Sequence, residues 1–294
     1  MSPLFELVER PDLESPVVVL ALDGWVDAGL GAGNARATLL GVLDTVTVAV
    51  FDSDELLDHR ARRPTMHLVD GVNTGLTWPS IELRAASDAD GNDLLLLVGA
   101  EPDHRWRAFS RAAVDLAMEF GARMVVGLGA YPAPVPHTRP TRLAVATTDP
   151  SFISSGPVRA TIDVPSGIQG AVERRAHEVG LPAIGLWAQV PHYVSAMPYP
   201  AASAALLDGL AELGGLRIDT EALHREAQDT RRRLDALVAG NEEHQHMVEQ
   251  LEAAADGDAG AGTAQGPGAG LGPGPLPSGD ELAAELERFL REQD

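Results

Sequence analysis

The sequence predicts an α/β fold, a three-layer sandwich around a mostly parallel central sheet, on three observations. Up to Ile218, short β-branched or Leu-rich runs alternate with longer segments of helical period, each punctuated by Gly, Pro or Asp. The run Leu94-Leu95-Leu96-Leu97-Val98 has no polar alternation, which places it mid-sheet with helices over both faces. Hydrophobic residues make up 45% of the 294, enough for a sizeable core in one large or two small domains.

Taken in order, the pattern predicts strands over residues 17–22, 46–51, 81–85, 94–98, 124–128, 143–146 and 185–190. Helices are expected over 29–42, 106–120, 168–179 and 201–213, each long enough to cross between parallel strands. These elements form a body over residues 1–218. Residues 219–256 contain no Pro and only Gly240, and carry a four-three spacing at Leu223, Ala227, Thr230, Leu234, Leu237, Asn241, His244, Val248 and Leu251. That is a heptad seam on a long acidic helix. The seam suits a stripe laid on the chain's own body, or self-association in which Asn241 and His244 would fix register. Residues 257–279 are Gly, Ala and Pro with almost no large apolar side chain, the composition of a flexible linker. Over 280–294 the helical period returns, with Leu282, Leu286, Phe289 and Leu290 on one face and Ser278 or Asp280 as N-cap. A short amphipathic helix on a tether is a partner-docking element, on its own body, a sister subunit or a foreign protein.

Composition excludes several functions. The formal net charge is −21, from 43 acidic and 22 basic residues, so free polyanions are repelled and no nucleic-acid partner is expected. Half of that charge lies from residue 219 onward, where seventeen acids face six Arg. Without cysteine there is no disulfide, thiolate metal site or Cys nucleophile. Without lysine, Schiff-base chemistry, a P-loop lysine and a Lys general base are impossible. Residues 1–16 are short of apolar side chains, and no apolar run, 94–100 included, approaches the ~20 residues of a membrane span. The expectation is a soluble, cytoplasmic protein with no membrane partner.

Five polar loops follow five of the expected strands, so in a parallel sheet they gather at one carboxyl edge, where open α/β folds bind ligands. The first holds Trp25, Asp27 and a glycine-rich turn, Gly29-Leu30-Gly31-Ala32-Gly33-Asn34. It lacks the third glycine of a dinucleotide fingerprint and sets Asp23 and Asp27 beside any phosphate, so Asp27 reads better as a helix cap. The second carries Arg60, Arg62 and Arg63 just after four acids, a grip for an anion or an internal ion-pair network. In the third, Glu101 and Asp103 flank Pro102 ahead of a helix, either as caps or as an acid or base. The fourth and fifth are stiffened by proline and hold His137 with Arg139, and His192 with Tyr193. The candidate pocket residues are therefore Trp25, Asp27, Arg63, Glu101, His137, Arg139, His192 and Tyr193. No catalytic residue is assigned, because no G-x-S-x-G elbow or H-E-x-x-H motif occurs. A metal held by Asp27, His137 and His192 would need three loops to converge, and nothing local signals a metal or other cofactor.

The strings at residues 22–29 (LDGWVDAG), 51–64 (FDSDELLDHRARRP), 99–106 (GAEPDHRW), 135–140 (VPHTRP) and 190–200 (VPHYVSAMPYP) resemble the bacterial, actinobacterial-type branch of a proteasome-assembly-chaperone family. That family is named after the second eukaryotic assembly chaperone, and the resemblance runs in order over roughly residues 15–250. It implies a three-layer domain related in shape to nucleoside phosphorylases, oligomerisation, and assistance to assembly of the proteasome α ring. Archaeal assembly factors of this type dock through a carboxyl-terminal hydrophobic-Tyr-x tripeptide, whereas this sequence ends Glu292-Gln293-Asp294, leaving the helix at 280–294 as the substitute. The absence of lysine leaves no side-chain acceptor for lysine-directed tagging, which suits a protein working beside a degradation machine. The reading is a non-enzymatic, homo-oligomeric assembly or interaction protein with proteasome α subunits as partners. The alternative is a small-ligand-binding protein or a hydrolase- or phosphorylase-like enzyme with its pocket at the strand ends.

Overall fold

Every apolar run expected to be a strand forms one. In the computed structural model, which describes residues 4–149 and 163–261, these are β2 (Val17–Asp23), β3 (Val46–Phe51), β6 (Ile81–Ser87), β7 (Asp93–Ala100), β8 (Met124–Ala133), β9 (Leu143–Thr147) and β10 (Ala183–Pro191). The four body helices are α1 (Gly31–Val42), α3 (Trp106–Glu119), α4 (Ile168–Glu178) and α5 (Pro200–Gly214). A short strand, β1 (Phe5–Leu7), and a single-turn helix, α2 (Ser53–Leu56), add to them.

Eight strands lie in one sheet in the order β1-β3-β6-β7-β2-β8-β10-β9. Only the β7–β2, β2–β8 and β8–β10 ladders are parallel; the other four are antiparallel, so the sheet is mixed rather than mostly parallel. The parallel ladders put β7, β2, β8 and β10 in one sense. Because β6 opposes both β7 and β3, β3 runs in that sense too. All five loops singled out in the sequence therefore leave the same edge.

Strand alternation divides the interior into two cores. Val17, Val19 and Ala21 of β2, with Leu94, Leu96 and Val98 of β7, face α1 and α5; Val18, Leu20, Leu95 and Leu97 face α3 and α4. The four leucines Leu94 to Leu97 are at most 1% exposed, and each contributes about 2 kcal/mol by leaving water. This two-sided burial is why the Leu94 run shows no alternation.

Two expectations about helices and turns need correction. The acidic stretch after the body is not one long helix: α6 (Glu221–Ala239) and α7 (Glu242–Ala261) are separated at Gly240 and Asn241. Asn241 does not sit on a coiled-coil seam; its Oδ1 accepts the amides of Glu243 at 2.9 Å and His244 at 3.2 Å, capping α7. Leu223 and Leu234 are buried in the first core, with α6 lying on α5, whereas Leu237 is 66% exposed. The stripe docks on the chain's own body. Helix α7 runs five residues into the stretch 257–279; the rest of that stretch, and the helix expected at 280–294 with Leu282, Leu286, Phe289 and Leu290, lie outside the described residues.

An unexpected hairpin, β4 (Thr65–Val69) with β5 (Val72–Thr77), forms a second sheet by itself. Its turn residues Asp70 and Gly71 both have positive φ, 51° and 82°, the geometry that an Asp-Gly pair supplies for a two-residue turn. Among the described residues no helix is long and apolar enough to cross a membrane.

Candidate functional site

The carboxyl edge is organised as two clusters and a set of helix caps. On the β3 and β7 side, Arg62 pairs with Asp103, whose Oδ2 also accepts the Asp58 amide at 2.8 Å. Arg105 pairs with Glu55, and His59 lies 2.9 Å from Asp54. The arginine-rich loop thus closes on the acids of its own neighbourhood, the ion-pair reading of that motif. Arg63 stays outside the network and exposed.

At the centre, Asp27 and Glu101 serve as caps. Asp27 lies beside Ala130 of β8. Its two oxygens accept the α1 amides of Ala32 at 2.7 Å and Gly33 at 2.9 Å. Burial raises its pKa, with those amides opposing. The turn that aims Asp27 is strapped to the loop before α5: the Gly29 amide donates to the Ser195 carbonyl at 2.7 Å and the Gly29 carbonyl accepts from the Tyr199 amide at 2.8 Å. Gly29 has φ +63° and a Cβ there would stand 2.7 Å from Tyr199 Cβ, so only glycine fits. Glu101, 8% exposed, accepts the first α4 amide, Ile168, at 2.7 Å. Trp25, 67% exposed, and His192 face outward.

On the β8 and β10 side the predicted residues do meet. The Tyr193 hydroxyl accepts the His137 amide at 2.8 Å and lies 2.7 Å from His137 Nδ1, while His137 Nε2 is 3.2 Å from Asp235 of α6. One assignment satisfies all three contacts: the hydroxyl donates to Nδ1, and Nε2–H donates to the carboxylate, making His137 a neutral imidazole. Burial lowers the His137 pKa, with Asp235 opposing, in accord with that tautomer. Tyr193 is pushed up to about 12, first by burial and then by the negative charges around it. The His192 ring packs edge-on against Tyr193, centroids 5.4 Å apart.

The acidic arm covers this cluster. Arg139 grips Asp256 of α7 in a two-bond fork, Nε to Oδ1 at 3.0 Å and Nη2 to Oδ2 at 2.8 Å, and reaches Glu252 through Nη1 at 3.0 Å. That fork raises the Arg139 pKa and lowers that of Asp256. Thr138 donates to Glu252, Arg142 to the Ala255 carbonyl at 3.2 Å, and Arg231 of α6 to the Thr138 carbonyl at 2.9 Å. The loop after β8, stiffened by Pro134, Pro136 and Pro140, is a platform for the arm.

Residue-by-residue reading of the sequence missed the arm's side of this contact: Asp235, Glu252, Asp256 and Arg231. The signal was present, since Glu252 and Asp256 are four apart on one helix face and answer the basic residues Arg139 and Arg142 of the loop after β8. It also missed Glu173 of α4, 7% exposed, whose carboxyl burial pushes up to about 7 and which accepts from Gln169 at 2.9 Å. Among the described residues no three His, Asp or Glu side chains gather as a metal-holding group; Asp27, His137 and His192 do not converge. A shallow depression lined by Arg10, Asp12, Glu119 and Phe120 lies at the opposite, amino edge of the parallel strands.

The comparisons with known proteins are consistent with one another. The sequence model of the PAC2 family matches residues 21–238. A solved Corynebacterium glutamicum protein of unknown function is 33% identical with a TM-score of 0.82, over 88% of this chain and 100% of its own. A Mycobacterium tuberculosis protein of unknown function is 36% identical, TM-score 0.82, over 89% and 94%. A second M. tuberculosis structure, described as a proteasome-assembly chaperone homologue, is 32% identical, TM-score 0.73, over 79% and 99%. A search of curated proteins finds no match.

Proposed function

The chain belongs to the PAC2 family, and from that premise we propose that it is a non-enzymatic, oligomeric interaction protein that assists assembly of the proteasome α ring. One observation carries the proposal. The polar side chains collected at the carboxyl edge point into the protein: Asp27 and Glu101 onto helix N-termini, Arg62 onto Asp103, and His137 and Arg139 onto the arm. An enzyme of open α/β type keeps such groups convergent on a ligand space. Here α6 and α7 cover the β8 and β10 side of that edge, and Trp25, Arg63 and His192 stay exposed beside it, a surface suited to protein contact. The relative described as a proteasome-assembly chaperone homologue supplies the partner class.

The test is native mass spectrometry of this protein co-expressed with the proteasome α subunit of the same source, beside His192→Ala, an exposed member of the edge. A heteromeric mass for both forms is the expected result. A homo-oligomer or monomer that ignores the α subunit contradicts the proposal. A small mass retained by the wild type and lost in the variant contradicts it in favour of ligand binding.

A further inference from the structure

The β4–β5 hairpin stands as a two-stranded sheet by itself. All eleven of its strand residues are exposed. Its register puts Met66 opposite Leu76 and Leu68 opposite Asn73, so Met66, Leu68 and Leu76 share one face, 52%, 57% and 45% exposed. Val69 and Val72 pair at the tip, 59% and 63% exposed. The other face carries His67, whose Nε2 lies 2.7 Å from the Thr77 hydroxyl, with Val69 and Val72 beyond it at the tip. A two-stranded ribbon is marginal in water and needs a helix or further strand over its apolar face.

We propose that the chain's own carboxyl-terminal segment, residues 280–294, lies on this face as an amphipathic helix, completing a β-hairpin and helix unit. This inference stands apart from the proteasome reading and needs no foreign partner. Three observations select this occupant. The first is shape: Leu282, Leu286, Phe289 and Leu290 recur at helical spacing and supply the one-sided apolar stripe the ribbon lacks. The second is charge: residues 280–294 hold six acids and two Arg. At the hairpin's foot the acids of the preceding loop are engaged, Asp54 with His59, Glu55 with Arg105 and Asp58 with the Arg60 amide. The exposed Arg60 and Arg63 side chains have no ion-pair partner among the described residues, and the sequence of 280–294 is of opposite sign.

The third is reach. The hairpin rises from the loop after β3 and α7 is pinned to the loop after β8, both at the carboxyl edge. Four strand spacings separate β3 from β8, about 19 Å. Eighteen residues, 262–279, join α7 to residues 280–294, and a Gly-rich chain of that length spans about 23 Å on average. The tether matches the distance.

The absence of native cysteine makes the test clean. Full-length protein carrying Leu68→Cys with Leu286→Cys is oxidised mildly, beside Val42→Cys with Leu286→Cys, Val42 being a 45% exposed site at the end of α1. The Leu68 pair is expected to close within the monomer about tenfold faster than the control, at a rate unaffected by dilution. Equal rates for the two pairs, or a cross-linked dimer, would overturn the assignment; the dimer would make a second copy the occupant. Hydrogen exchange over Met66 to Leu76 reads the same point without new cysteines. Deletion of residues 262–294 is expected to raise it, and unchanged exchange would overturn the proposal.

Discussion

Glu173 shows how a single buried carboxyl makes stability depend on pH. It lies on the inner face of α4 against β10, with Gln169 as its hydrogen-bond donor and no ion-pair partner among the described residues. Burial lifts it from the ordinary 4.5 to about 7. Between those values the folded chain holds a proton that the unfolded chain releases. The stability Glu173 contributes is therefore complete below about pH 4.5 and is lost as pH rises through 7. Glu173→Gln keeps an acceptor for Gln169 and removes the titration. The variant should be more stable than wild type at pH 8, by on the order of 3 kcal/mol, and indistinguishable near pH 4.5. Thermal melts at the two pH values check this; an equal difference at both would mean that packing, not protonation, is responsible. Nothing in the sequence marks Glu173, because the surrounding stretch Ala171-Val172-Glu173-Arg174-Arg175 reads as an ordinary solvated helix and only the packing of α4 turns that face inward.

At the scale of elements, what was legible depended on whether local chemistry decided the outcome. Seven strands and four helices follow from apolar periodicity and hold within a few residues. The β4–β5 hairpin carried the turn signal Asp70-Gly71 and a short alternation, Thr65-Met66-His67-Leu68, but about half of its strand residues are small or polar and Asp-Gly recurs elsewhere in the chain, so period alone did not reveal it. The acidic arm is the opposite case: its heptad spacing runs unbroken through a position where Asn241 supplies a cap and Gly240 weakens the helix. Capping decides the break. Asn241→Ala should destabilise α7 by about 1 kcal/mol and leave the α6 packing of Leu223 and Leu234 intact, measurable as faster amide exchange over α7 alone. Spread of the effect into α6 would show that the two helices act as one.

For the whole molecule, the sequence gathers the five loops at one edge and gives no local sign that the acidic arm packs on part of it. Five loops leave the carboxyl ends of five strands of one sense, as the alternation implied, even though three strands of the sheet run the other way. The ligand-pocket expectation treated those loops as facing solvent, because a contact between Arg139 and Asp256 spans 117 residues and no local pattern encodes it. Charge was the long-range clue: a strongly acidic arm and a loop whose charged side chains are Arg139 and Arg142. The central claim is that the acidic arm packs on this edge through Arg139. Hydrogen exchange of Arg139→Ala against wild type tests it most directly. The account predicts faster exchange in α7 and in the loop over residues 135–142 together, with the strands β2, β7 and β8 unchanged; an α7 that exchanges no faster once the fork to Asp256 is gone would contradict it.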